Sequence, residues 1–131
     1  MLTKDKQVQS RILALVGHPM AAAAVIFKGA LTVLDADGNA ATATKAEDLT
    51  TVGIARKGVD NSGGEAGAKI VEVRKDEAAR LKNDAANPVT RAHIGQPCYI
   101  LDDETVTSLA AGSSIAGTVE DLDDNGVWIS F

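Results

Sequence analysis

The residues best equipped for chemistry are three acidic turns and a sparse set of histidine and cysteine. Asp121-Leu122-Asp123-Asp124-Asn125-Gly126 matches the opening of a calcium loop, D-x-D-x-N-G, whose oxygens suit a hard cation. The bidentate glutamate that completes such a loop falls one place past Phe131, and no helical pattern flanks the segment. A hairpin turn is the better reading. Asp35-Ala36-Asp37-Gly38 reads as a turn for the same reason, and Asp102-Asp103-Glu104 as a solvated turn with at most weak affinity for a cation. His18, His93 and Cys98 are the other good ligands or nucleophile partners. Cys98 lies in the apolar run Gln96-Pro97-Cys98-Tyr99-Ile100, where cysteine usually acts as a small core residue. A Cys98–His93 dyad needs an activating environment that sequence does not show. There is no G-x-S-x-G, no P-loop and no dinucleotide fingerprint, and Ser62-Gly63-Gly64 opens no helix that would present a phosphate cradle. The expectation is no catalytic residue, no cofactor and no metal.

The elements that must carry these residues are strands. Ile94 to Leu101 reads as one strand, Asp102-Asp103-Glu104 as its turn, and Val106 continues the pattern. Ile115 to Leu122 is a long strand, and Asp123-Asp124-Asn125-Gly126 its turn. Asn-Gly between two alternating runs is a strong hairpin signal, because both residues tolerate φ > 0. In Val127–Phe131, Val127, Ile129 and Phe131 share one face, Trp128 and Ser130 the other. An apolar strand of this kind must be paired. Being apolar on both faces, it is expected to be covered on both, with Trp128 as a packing anchor at an interface or a core edge.

Earlier in the chain, Val25-Ile26-Phe27 is the first secure strand, and Gly29 marks a bulge or a close backbone approach. Ala21 to Ala24 fits a helix by propensity. Ala30–Leu34 is a strand, Asp35–Asn39 its turn, and 40–51 a loop or a short helical turn around Ala46-Glu47-Asp48. Val52–Ala55 is a strand, and Asp60–Gly67 an exposed loop by composition. Lys69–Arg74 alternates with charges on one side, a half-buried strand. Asp76 to Leu81 has helical propensity but is short and sits between β signals, which leaves helix and strand both open there, and Asn83–Pro88 is a turn region. Strong strand signals every eight to fifteen residues, separated by Gly-, Asn- and Asp-rich turns, indicate an all-β fold: one small β-barrel or β-sandwich domain.

Composition sets outer limits. The 131 residues fit one domain, and 45% are apolar, enough for a core. Only Phe27, Tyr99, Trp128 and Phe131 are aromatic, so the core rests on Val, Ile, Leu and Ala. A single cysteine rules out an internal disulfide and a Cys-based zinc site. Met20–Phe27, the longest apolar run, is too short to span a bilayer, and no leader pattern stands out; the chain reads as soluble and unexported. Net charge is -5, unevenly spread. Residues 1–29 hold Lys4, Lys6, Arg11 and Lys28 against Asp5, while residues 102–131 hold seven carboxylates and no Lys or Arg. Opposite ends of opposite sign suggest two contact surfaces, and the acidic total argues against nucleic acid.

Residues 1–24 are the least domain-like and are expected to form an N-terminal arm, with the β domain at 25–131. A helix from Thr3 to Val16 would align Val8, Ile12 and Leu15; an extended arm fits equally well, as does a frayed terminus. Arg11, Ile12, Leu13, Leu15 and Val16 have no evident place in a β core and, with Trp128, are the candidate partner-binding residues.

With these residues in hand, the chain resembles the cement, or decoration, proteins of tailed-bacteriophage capsids. The order of several short signatures carries the resemblance. Phe27-Lys28-Gly29-Ala30-Leu31-Thr32-Val33-Leu34-Asp35 looks like the family's opening strand, and Val52-Gly53-Ile54-Ala55 follows. Asp60-Asn61, the Gly-Gly-Glu-Ala-Gly loop at 63–67 and Val71-Glu72-Val73-Arg74 come next. Ile94-Gly95-Gln96-Pro97-Cys98-Tyr99 with the Asp102-Asp103 turn, Ala116-Gly117-Thr118-Val119 and Gly126-Val127-Trp128-Ile129 complete it. The set covers about residues 25–131; the first 20 residues have no match. Asp76–Arg80 departs from the pattern, since similar proteins carry a glycine and an apolar strand there.

The resemblance implies a β-barrel or sandwich that trimerises and does no chemistry. It would sit outside the capsid at three-fold and quasi-three-fold positions, bridging major capsid protein subunits and binding neither nucleic acid nor membrane. The protein would be made in the host cytoplasm and end in the virion. The competing readings are another phage structural role, such as a minor capsid or tail-tube subunit, and a small trimeric β-fold nucleotide hydrolase. The last would need carboxylates such as Asp60, Glu65 and Asp102 to share a cleft.

Overall fold

Twelve β-strands and one turn of 3-10 helix form the regular structure of residues 1–131, all of which the computed structural model describes. The strands are β1 (Leu15–Pro19), β2 (Val25–Ile26), β3 (Leu31–Leu34), β4 (Ala40–Thr42), β5 (Thr50–Ala55), β6 (Val59–Asp60) and β7 (Ile70–Arg74). They continue with β8 (Ala79–Asn83), β9 (Pro97–Ile100), β10 (Thr105–Thr107), β11 (Ile115–Asp123) and β12 (Gly126–Ser130); the 3-10 turn is Arg91–His93. No helix is long and apolar enough to cross a membrane.

The strands divide into two sheets and a ribbon. A five-stranded sheet runs β1-β7-β5-β3-β4, β2 and β6 form a two-stranded ribbon, and the rest closes as a small barrel, β10-β8-β12-β11-β9. Within the barrel β8 and β10 are parallel, and the other pairs are antiparallel. Period-2 alternation explains most of it. In β12 Val127 and Ile129 are fully buried and Trp128 is exposed; in β7 Val71 and Val73 are buried while Ile70, Glu72 and Arg74 face out.

Two cores result. Cys98, Ile100, Val106, Val119, Val127 and Ile129 fill the barrel together with Leu31 and Val33 of the sheet, so the sheet closes onto the barrel's interior. Met20, Ile26, Ala30, Ala40, Ala55 and Val71 form a second core under the β2–β6 ribbon. Hydrogen bonds stitch the halves: Leu31 N donates to Asp103 O at 2.8 Å, Thr51 Oγ1 to Ile115 O at 2.7 Å, and Ser114 Oγ to Ala46 O at 2.7 Å. The result is one all-β domain. No aromatic residue reaches full burial; Phe27 is 70% exposed, and the largest buried side chains are Met, Ile and Leu.

Several expectations need correcting. Asp76–Leu81 does not become a helix: Ala79–Asn83 is β8, held by β12 on one side and β10 on the other, and this non-local pairing overrides helix propensity. Ala21–Ala24 is a turn, with Ala23 at φ 58°. Residues 46–48 form no helical turn, and Ala40–Thr42 is a strand. Gly29 faces open space at φ +87°, so it serves the Phe27–Ala30 turn rather than a close approach. The loop at 60–67 is not uniformly exposed, because Asn61 is buried and its Nδ2 ties Ala21 O to Glu65 O. In the last hairpin the central residues are Asp124 and Asn125, neither at positive φ; Gly126, at φ +147°, follows them in register with Asp123.

The close approach belongs to Gly53. A register shift between Thr32 and Val33 leaves Val52 as the extra residue of β5, and Gly53 at φ +134° lies against the Arg74 carbonyl, where a Cβ would overlap it.

Candidate functional site

The acidic turns spend their carboxylates on their own backbones. Asp35 Oδ1 accepts from the N–H groups of Asp37 (2.9 Å) and Asn39 (3.0 Å). Asp60, Asp102 and Asp123 accept from the residue two ahead, Ser62, Glu104 and Asn125, at 2.8, 2.9 and 2.7 Å. These are Asx turns, the local bond that makes aspartate a turn former. No three His, Cys, Asp or Glu side chains converge as metal ligands. Asp60, Glu65 and Asp102 line none of five clefts on the surface.

The histidines and cysteine are placed apart in function. His93 Nδ1 accepts from Thr90 N at 2.8 Å, capping the 3-10 turn. Cys98 is buried in β9, its Sγ donating weakly to Gly117 O at 3.7 Å, and burial pushes the thiol up to about 11. A nucleophile needs a thiolate, so this is a core residue. His18 is half-buried in β1; burial and then the Lys75 charge push its pKa down.

The residues singled out for partner binding fall into two groups. Residues 1–14 carry no regular structure and residues 1–13 are exposed, with Ile12 at 86%. The cations of this segment, Lys4, Lys6 and Arg11, make no ion pair. The exposed stretch is shorter than the expected 1–24. Leu15–Pro19 pairs with β7 as the edge strand of the sheet, and Met20 is fully buried. The sequence hides this because a Gly-His-Pro strand has poor β propensity and only one protected face. Leu15 points outward and Val16 inward; Ile70, exposed on the neighbouring strand, leans over Gly17. Leu13 and Leu15 thus leave apolar surface where the arm joins the sheet, and Ile70 leaves more at the far end of β1, opposite Pro19.

Trp128 stands on the outer wall of the barrel, 36% exposed, with the Arg80 guanidinium 5.8 Å from its ring centroid. Val127 and Ile129 take the inner face, so within the chain Trp128 lies at the edge of the core, its outer side covered only by Arg80. The strand itself is satisfied within the chain, between β11 and β8.

Sequence reasoning missed one feature. A cleft of about 490 Å³ opens between sheet and barrel, floored by Ile54, Ala55 and Ala79 and rimmed by Lys28, Arg56, Lys57 and Arg74. Its four cations come from three separate chain segments, so no local signal marks it. Glu77 is the sole carboxylate lining it.

Compared with known protein families, characterised proteins and solved structures, the chain matches none.

Proposed function

We propose that the protein is a non-enzymatic decoration protein of a tailed-phage capsid, binding the outer surface of the head and stabilising contacts between major capsid protein subunits. The single observation that carries this reading is the exposed segment 1–13, which holds Leu2, Val8, Ile12 and Leu13 outside any core of its own chain. Fixing such a segment costs roughly 1–2 kcal/mol per residue in backbone entropy. Only a surface that takes up its apolar side chains offsets that cost, so the segment orders on a partner and not alone. A partner that exists only as an assembled lattice fits this requirement. Binding the lattice and not the free subunit stabilises the lattice by mass action.

The ordered signatures over residues 25–131 and the all-β domain that carries them support the same reading. The homotrimer at three-fold and quasi-three-fold positions comes from the resemblance alone, since β12 finds both its neighbours inside the chain. Trimeric display would multiply weak arm contacts through avidity. The test is a comparison of phage heads with and without the protein. Heads carrying it should release DNA at a higher temperature, and adding the purified protein back should restore that difference. Heads that neither bind the protein nor change their release temperature refute the reading.

A further inference from the structure

Two unpaired cations and two unpaired carboxylates lie at opposite ends of one strand. Lys28 and Lys57, on the rim of the cleft, make no ion pair, whereas Arg56 is held by Glu72 at 3.5 Å and Arg74 by Asp76 at 3.1 Å. At the far end, the β11–β12 turn projects Asp123 and Asp124, both exposed and without an ion pair; the nearby Asp121 is taken by Arg91 at 3.5 Å. The Asp102–Glu104 turn is a weaker match. Asp103 and Glu104 share a small crevice with Lys28, and Glu104 is already bonded to Lys82 at 2.7 Å.

β8 connects the two sites. Ala79, at its start, lines the cleft, and Asn83, at its end, lies beside the Asp123–Gly126 turn. Four residues of strand separate them by about 13 Å at ~3.3 Å per residue. β12 runs beside β8 in fixed register, with Val127 opposite Leu81 and Ile129 opposite Ala79. The turn therefore cannot fold back into the cleft of its own chain.

We propose that the cleft receives the Asp123–Asp124 turn of a second copy of this chain. The exposed Asp123–Gly126 hairpin end carries two carboxylates, opposite in sign to the unpaired Lys28 and Lys57 of the cleft. The apolar floor of Ile54, Ala55 and Ala79 would seat the turn's backbone. The overall charge of -5 argues against a nucleic-acid occupant. Each copy presents both halves of the contact, so it is heterologous, and its repetition gives a ring or an open filament according to the rotation it sets. A ring of three is what the function proposed above calls for; the contact itself does not rest on that reading.

The experiment is sedimentation of the full-length protein and three exposed-site variants, with circular dichroism to check folding. Wild type should self-associate, and more weakly, by about tenfold or more, when salt rises from ~0.05 M to ~0.5 M. Lys28→Glu/Lys57→Glu and Asp123→Lys/Asp124→Lys should each sediment as monomers. The variant carrying all four changes should associate again, because the contact is restored with its signs exchanged. A wild type that stays monomeric in low salt overturns the proposal. So does association indifferent to both reversals, or a cleft whose only response is to bind inorganic phosphate. Head binding by the wild type is measured separately, so failure here leaves the capsid reading standing, and failure there leaves this contact standing.

Discussion

Arg80 and Trp128 face each other across the β8–β12 pair, and the guanidinium covers the outer face of an indole that remains 36% exposed. Such a pair contributes about 0.5–1 kcal/mol at an exposed site. Trp128→Ala should therefore cost well under the ~3–5 kcal/mol of a buried tryptophan. Thermal unfolding checks this; a loss above that lower limit means the side chain packs more deeply than its exposure indicates.

Residues 1–13 and residues 15–20 should behave differently on truncation. Deleting 1–13 removes exposed chain only, so the midpoint of thermal unfolding should stay nearly unchanged. Deleting 1–24 also removes β1 and the buried Met20. A lost methionine core contact alone costs about 2–5 kcal/mol. Circular dichroism melts of the two truncations separate arm from core; equal stability would place β1 outside the cooperative unit.

Asp84 should give the domain an acid-sensitive element. Its carboxylate accepts from Ala86 N at 2.9 Å and from Thr107 Oγ1 at 2.8 Å, and these bonds, the Ala86 one foremost, hold its pKa below the ordinary aspartate value. The unfolded chain has the ordinary value, near ~3.9. Stability from this group is thus complete above that pH and is lost as pH falls through the lower folded value, because the unfolded chain binds the proton first. Asp84→Asn should be destabilised at neutral pH and converge on wild type as pH falls below the lowered folded value. Urea titrations across pH test this, and a constant difference between the two proteins contradicts it.

Backbone conformation yields a pair of opposite substitutions. Ala23 is held at φ 58°, where a non-glycine residue is strained by about 1–2 kcal/mol. Ala23→Gly relieves that strain but loosens the unfolded chain, for a net gain of about 0.5–1 kcal/mol. Gly53→Ala puts a Cβ onto the Arg74 carbonyl and should cost about 2–3 kcal/mol. Denaturant midpoints that move the other way in either variant would contradict the backbone description.

The sequence-to-structure path is clearest at the last hairpin. β12 alternates strictly, with Val127 and Ile129 inward and Trp128 outward, and β9 follows the same rule, whereas β11 departs from it at two register shifts and β10 is buried throughout. β8 fails that rule because Glu77-Ala78-Ala79-Arg80-Leu81-Lys82 is locally helical, and only its two distant partners make it a strand. β1 fails because Gly17, His18 and Pro19 carry little β signal. Trp128 was legible as to face but not as to cover, which depends on what stands outside the barrel. The basic cleft was invisible because Lys28, Arg56, Lys57 and Arg74 meet only once β3, β5 and β7 are side by side.

The proposed capsid role is tested most directly by cryo-electron microscopy of particles purified together with the chain. The account predicts density for a small β domain on the outer surface, at three-fold and quasi-three-fold positions, with residues 1–14 continuous onto a neighbouring major capsid subunit. Bare positions there, or the domain found inside the head or in the tail, would contradict it.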